Sequence, residues 1–333
     1  MTENLPLFKS KEENEKSPSE ILLSYSRIAP EEEKEVEKEA YNKFLSKRVV
    51  TPFYYERLMY LRCKMSLKYI LSRKNPYLLK AKNISSPDEL VRSVVDAFMF
   101  SQEETMFGNR LEEFAIFVSE KLFDGFKSDL PSVDLEFERE KKYFIVGIKS
   151  GTNWGNSDQI NRMKDNFKSA RKYLLDERKI TKEIVAVNGC IYGKDANPFK
   201  ENGKDKEKSY FKFAGQDFWQ FISGDSELYR EIIKPIEEEA LERDAEFKKT
   251  FDGKINNMVK EFSNIFLDAE GQIDWVKIVD YISKRGKSKI EFPVVKKTDE
   301  CKEYEARKEA EKEELKAEKA RKEKMKKKMK EAL

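Results

Sequence analysis

The stretch from Val133 to Gly193 leaves a folding chain few choices. It opens with VDLEFE, where acidic and apolar residues alternate with the period of a half-buried strand. A charged link, EREKK, carries a turn near residues 139 to 142 and leads into YFIVGIK, a β-rich apolar run. Asn156 then opens NSDQINRMKDNFKSARKYLLDE, in which Ile160, Met163, Phe167, Ala170 and Leu174 fall on one side of a helix. EIVAVNGCIYG, residues 183 to 193, reads as another buried strand. A hairpin, a helix and a further buried strand predict an α/β fold, with a central mixed β-sheet flanked by helices.

Around this core the chain reads as mostly helical. Residues 1–40 form a charged arm, with EEEKEVEKEA suiting a solvated helix or a mobile segment. From 41 to 104 the text is helical, and over residues 41–87 eleven Lys/Arg face a single acid, Glu56, with aromatics interleaved. Leu58, Leu61 and Met65 recur there at helical spacing, and Pro52 suits a first turn. This segment is either a packed helix with a basic outer face or a surface for nucleic-acid backbone, with Arg57, Arg62 and Lys68 as its phosphate contacts. Helices are expected over 88–103, capped by Ser86 with Pro87 following, and over 108–123. The core spans 105–225, with a polar loop at 196–209 and a short strand in SYFKFAG. A helical subdomain covers 226–292, with Asp274 as a helix cap, and residues 293–333 form a charged tail, a solvated helix or a disordered one.

Composition narrows the chemistry. The chain has no histidine, which rules out histidine-dependent triads and histidine-ligated zinc. Cys63, Cys190 and Cys301 are far apart and odd in number, so neither a disulfide framework nor a thiolate metal site is expected. Cys190, within a strand, is expected as a small buried hydrophobe, and Trp219 and Trp275 as core residues. With no membrane-length apolar run and no leader-like start, a reducing, cytoplasmic location is expected. Hydrolysis by such a chain rests on carboxylates, lysine and a hard metal such as Mg²⁺.

The hairpin supplies that set. Alternation puts Asp134, Glu136 and Glu138 on one face of the first strand, and Tyr143, Ile145, Gly147 and Lys149 on one face of the second. Closing the hairpin brings Asp134 opposite the stretch from Gly147 to Lys149. Acids can hold a divalent ion there, while the lysine orients water and offsets phosphate charge. A plain hairpin ending in an exposed lysine accounts for the same residues. In SGTNWGNSDQ, Asn156 and Gln159 form a capping box. The loop and helix start also fit a phosphate and base edges, with Ser150, Asn153, Trp154, Asn156 and Gln159 as the DNA-facing candidates.

The run VDLEFEREKKYFIVGIKSGTNWGNSDQ resembles the core of type II restriction endonucleases of the PD-(D/E)xK nuclease superfamily, and most of all the PmeII-type group; GQDFWQFISGDSELYREII adds to the likeness. The resemblance spans about residues 105–280. It implies Mg²⁺-dependent, sequence-specific cleavage of double-stranded DNA by a homodimer, beside a cognate methyltransferase. A repair or mobile-element nuclease of the same fold, or a decayed DNA-binding relative, are the alternatives. Two positions depart from the pattern. Val133 replaces a proline, which leaves the chemistry intact, and Gly147 stands where an acid is usual. Glu136 and Glu112 are the candidates to replace that acid, with Asp158 and Asp165 as weaker ones. The expected catalytic set is therefore Asp134, Lys149, Glu136 and Glu112, with the three acids as metal ligands.

Overall fold

The computed structural model describes residues 17–25, 29–203, 205–286, 288–293 and 297–331. The expected N-terminal arm therefore lies partly outside the described residues. Twelve α-helices are described: α1 (Pro18–Leu23), α2 (Glu31–Phe44), α3 (Thr51–Met59), α4 (Leu67–Leu71), α5 (Pro76–Ala81), α6 (Pro87–Phe123), α7 (Ser157–Asp176), α8 (Gln216–Ser223), α9 (Leu228–Glu231), α10 (Ile233–Phe266), α11 (Trp275–Ser283) and α12 (Asp299–Glu331). Six strands are β1 (Phe126–Lys127), β2 (Leu135–Arg139), β3 (Lys142–Lys149), β4 (Glu183–Cys190), β5 (Phe199–Lys200) and β6 (Tyr210–Ala214). The chain divides into two units: residues 1–45, 108–235 and 314–333 form one, and residues 46–107 and 236–313 the other.

The first unit holds the sheet, in the order β1-β2-β3-β4-β6-β5. β2 and β3 form the expected antiparallel hairpin, with Arg139 paired to Lys142. Glu140 and Lys141 turn it with φ of 49° and 64°. Positive φ at both central residues is the two-residue turn whose twist matches the strands, here achieved without glycine. β4 runs parallel to β3, and β6 parallel to β4. The short edges β1 and β5 pair antiparallel, so the sheet is mixed as expected. β5 lies inside the segment read as a polar loop, and its two residues are too few to give a periodic signal.

Each face of the sheet buries apolar side chains. Tyr143 and Ile145 of β3, with Ala186 and Tyr210, pack on Met163, Phe167, Ala170 and Leu174, the stripe of α7. On the opposite face Phe144 stacks near Phe137 at 4.9 Å and meets Phe221 of α8 at 5.2 Å. Phe114 of α6 approaches Trp219 at 5.6 Å. Each such fully buried side chain stabilises the fold by roughly 1.5–3 kcal/mol. Within this face Arg139 is also buried, donating to the carbonyls of Phe221 and Leu22. Burial pulls its guanidinium down to about 10, while Glu140 and Tyr25 oppose that shift.

The second unit is helical. Leu61, Met65, Ile70 and Leu71 pack with Leu90, Val91 and Val94 of α6, with Met258, Phe262 and Phe266 of α10, and with Ile278. Pro52 sits in the first turn of α3, as expected. The preceding turn, Leu45–Val50, is π-helical.

Three expectations change. The helices expected at 88–103 and 108–123 are one helix, α6, of 37 residues. Gly108 does not stop it. A Cβ at Gly108 would lie 2.5 Å from the Ser150 hydroxyl, so the glycine is there for close approach. The tail is helical, but Cys301, Tyr304 and Met329 of α12 are buried, so it is not simply solvated. Finally, Cys63 and Cys301 form a disulfide across a separation of 238 residues, contrary to the expectation of none. Cys190 is free and fully buried, as expected, and burial pushes its thiol up to about 11.

Candidate active site

The site lies where the β2–β3 hairpin stops pairing. Asp134 directly precedes β2, between Val133 and Leu135, both fully buried. Its amide still donates to the Val146 carbonyl at 2.8 Å. Its side chain then takes over from the backbone: Oδ2 accepts the Ile148 N–H at 2.7 Å. Lys149 ends β3, and its Nζ reaches the same Oδ2 at 3.4 Å and the Ile148 carbonyl at 2.6 Å. The ammonium also stands 5.7 Å from the Trp154 ring centre. Asp134 and Lys149 therefore meet on one side of the sheet.

Glu112 joins them from α6. Its carboxyl is pushed up to about 7, first because burial disfavours its charge and second because Asp134 repels it. Lys149, Lys127 and Lys322 act in the opposite sense. A buried carboxyl whose ionisation a neighbouring carboxylate opposes is one that a divalent cation would relieve. Among the described residues no three of His, Cys, Asp or Glu converge as a metal cage. Mg²⁺ is commonly held by one or two carboxylates with water completing its shell, so the pair Asp134 and Glu112 fits that ion.

Gly147 explains the missing acid. A Cβ there would lie 2.6 Å from the Ser132 carbonyl, so no side chain fits without moving backbone. Glu136, the other candidate replacement, is not brought to the group. It is fully buried, and its carboxylate accepts from Ser128 Oγ at 2.6 Å, Tyr143 Oη at 2.7 Å and Arg178 at 2.9 Å. Asp158 is exposed in the first turn of α7, and Asp165 pairs with Lys208 at 2.6 Å.

The loop after Lys149 is braced from below. Asn188, buried in β4, accepts from Trp154 Nε1 at 3.0 Å and donates to the Gly147 carbonyl at 3.1 Å. Lys212 holds the Thr152 carbonyl at 3.0 Å. Asn156 and Gln159 make the expected reciprocal cap on α7, and Ser150 and Asn153 are exposed. Asn188 escaped the sequence reading; a lone asparagine inside VAVNGC was its signal. Lys322 escaped too. Its Nζ lies 3.4 Å from the Val133 carbonyl and 4.0 Å from Asp134 Oδ1, yet in sequence it is one lysine in a basic run.

Two of the three proposed phosphate contacts of the basic segment are paired with acids. Arg57 meets Glu103 at 2.5 Å and Asp244 at 3.7 Å, with its guanidinium 3.5 Å from the Phe247 ring centre. Arg62 pairs with Glu246 at 2.9 Å and Glu300 at 3.6 Å. Acids remote in sequence thus pair Arg57 and Arg62, while Lys68 is exposed.

A mixed sheet with an aspartate, a lysine and a helix-borne glutamate at the open end of a hairpin has the parts of a phosphodiester hydrolase. The family model for type II restriction endonuclease EcoO109I matches residues 39–244, more than half of the chain. The chain belongs to that family of type II restriction endonucleases, which are DNA-cleaving hydrolases. A comparison with curated proteins finds no match. No helix among the described residues is long and apolar enough to cross a membrane.

Proposed function

We propose that the protein is a site-specific endonuclease that cuts double-stranded DNA with Mg²⁺, using Asp134, Glu112 and Lys149. The observation that carries this reading is the meeting of Lys149 with Asp134 at 3.4 Å, with Glu112 close enough for Asp134 to disfavour its ionisation. Asp134 and Glu112 would hold the ion. The ion, when bound, supplies positive charge to the phosphate and lowers the pKa of water. Lys149 is held by Asp134 and by the Ile148 carbonyl, so its ammonium is fixed at the strand end. There it orients the attacking water and offsets charge on the phosphate. Glu136 has its oxygens committed to Ser128, Tyr143 and Arg178, and serves the scaffold.

Ser150 and Asn153, exposed directly after Lys149, are placed to meet the DNA, with Trp154 shaping the loop. Asn156 and Gln159 are engaged in the helix cap. Arg57 and Arg62, paired as they are, contribute to folding more than to phosphate binding, which leaves Lys68 as the exposed cation of that trio. The text IKSGTNWGNSDQ supports placement in a PmeII-type subgroup. Homodimerisation and a protective methyltransferase follow from a restriction role, since most such targets are symmetric.

The test is a digest of plasmid and phage DNA with Mg²⁺, followed by sequencing of the ends. Discrete fragments sharing one short motif support the reading. A smear with unrelated ends assigns the fold to a non-specific nuclease.

A further inference from the structure

The last helix ends in a lysine-rich run broken by two methionines. Glu318, Lys322, Met325 and Met329 follow one another at spacings of four, three and four, a single stripe of α12. Met329 is buried, and with Met325 it packs into the cluster of Val133, Met163 and Phe167. That anchor lays Lys322 against Asp134. Its Nζ is 3.4 Å from the Val133 carbonyl, 3.5 Å from Glu318 Oε1 and 4.0 Å from Asp134 Oδ1. Asp134 commits its other oxygen to the Ile148 N–H and Lys149. The Lys322 side chain is only 22% exposed, unlike a solvated lysine of a charged helix. A carbonyl and two carboxylates gathered on one cation are the hard oxygens that a divalent ion also takes.

We propose that Lys322 is a positioning residue of the active centre, whose ammonium neutralises the free oxygen of Asp134 before metal arrives and is displaced when a divalent ion binds. The inference rests on the reading of Asp134 as a metal ligand. Lys322 acts through Asp134: it keeps the carboxylate charge compensated and sets how tightly the ion is held. The basic end of α12 is then part of the site and not only a charged tail.

The experiment measures Mn²⁺ binding to the full-length protein by electron paramagnetic resonance, without DNA. It compares wild type with Lys322→Met, Lys322→Arg, Asp134→Ala and Lys319→Met, the last an exposed lysine of the same helix. Removing one positive charge this close to a ligand oxygen should tighten Mn²⁺ binding by about tenfold in Lys322→Met. Lys322→Arg and Lys319→Met should bind as wild type does. Lys322→Gln takes the place of the methionine variant if that one does not fold. Unchanged or weaker Mn²⁺ binding in Lys322→Met, with wild-type binding lost in Asp134→Ala, overturns the role of Lys322 and leaves the metal site standing. Wild-type binding that does not depend on Asp134 overturns the metal site, and the inference with it.

Discussion

At the residue scale, the two glutamates raised as replacements for the absent acid behave as opposites. Glu112 is a carboxyl held up near neutrality by burial and by Asp134. Its raised value means that the metal-free folded protein keeps a proton that the unfolded chain gives up earlier. The stability that this proton brings is therefore present below the ordinary glutamate range and is lost as pH rises through about 7. Thermal melts in EDTA should show that decline, and Glu112→Gln, which cannot ionise, should flatten it. A decline of equal size in the variant would place its origin elsewhere. Glu136 is the reverse case, a buried carboxylate already satisfied by two hydroxyls and Arg178. Glu136→Ala leaves the buried Ser128 and Tyr143 hydroxyls without their acceptor and should cost about 1–3 kcal/mol in urea unfolding, while leaving the Mn²⁺ affinity of the folded protein unchanged. Weakened metal binding at full stability would restore Glu136 to the metal site.

At the scale of elements, the hairpin and α7 were readable because their signals are local. Asp134 and Lys149 are fifteen residues apart, and the turn between them lies where the charged link placed it. The α7 stripe has a 3.6-residue period and its cap sits next to it. What the sequence concealed was set by partners far along the chain. Gly108 reads as a boundary, yet it lies inside α6 because Ser150 needs the space. Gly147 reads as a lost ligand, yet the Ser132 carbonyl fills the place of its side chain. Lys322 reads as one charge among many, and only the burial of Met329 reveals where it lies. The Cys63–Cys301 bond belongs to the same class, since three scattered cysteines give no hint of pairing. Thiol labelling without reductant should find one reactive cysteine at most per unfolded chain, Cys190. Reduction should expose the other two and lower stability by about 2–4 kcal/mol. Three thiols labelled before reduction would refute the bond.

At the scale of the whole molecule, a net charge of +3 hides a deliberate distribution. Residues 41–87 gather eleven Lys/Arg against one acid, and the helical unit pairs Arg57, Arg62 and Lys64 with Glu103, Glu246 and Glu305. The sheet-containing unit instead interleaves charge at the hairpin end, where Lys149, Lys127 and Lys322 meet Asp134, Glu112 and Glu318. Lysines interleaved with carboxylates suit an anionic substrate that arrives with a divalent ion. Cleavage of duplex DNA by wild type, Asp134→Ala and Lys149→Ala, each shown to be folded by circular dichroism, tests this arrangement most directly. Wild type should cut with Mg²⁺, Asp134→Ala should not cut, and Lys149→Ala should be slower by about 10²–10³-fold. Cutting by Asp134→Ala at the wild-type rate would contradict the assignment of the active centre.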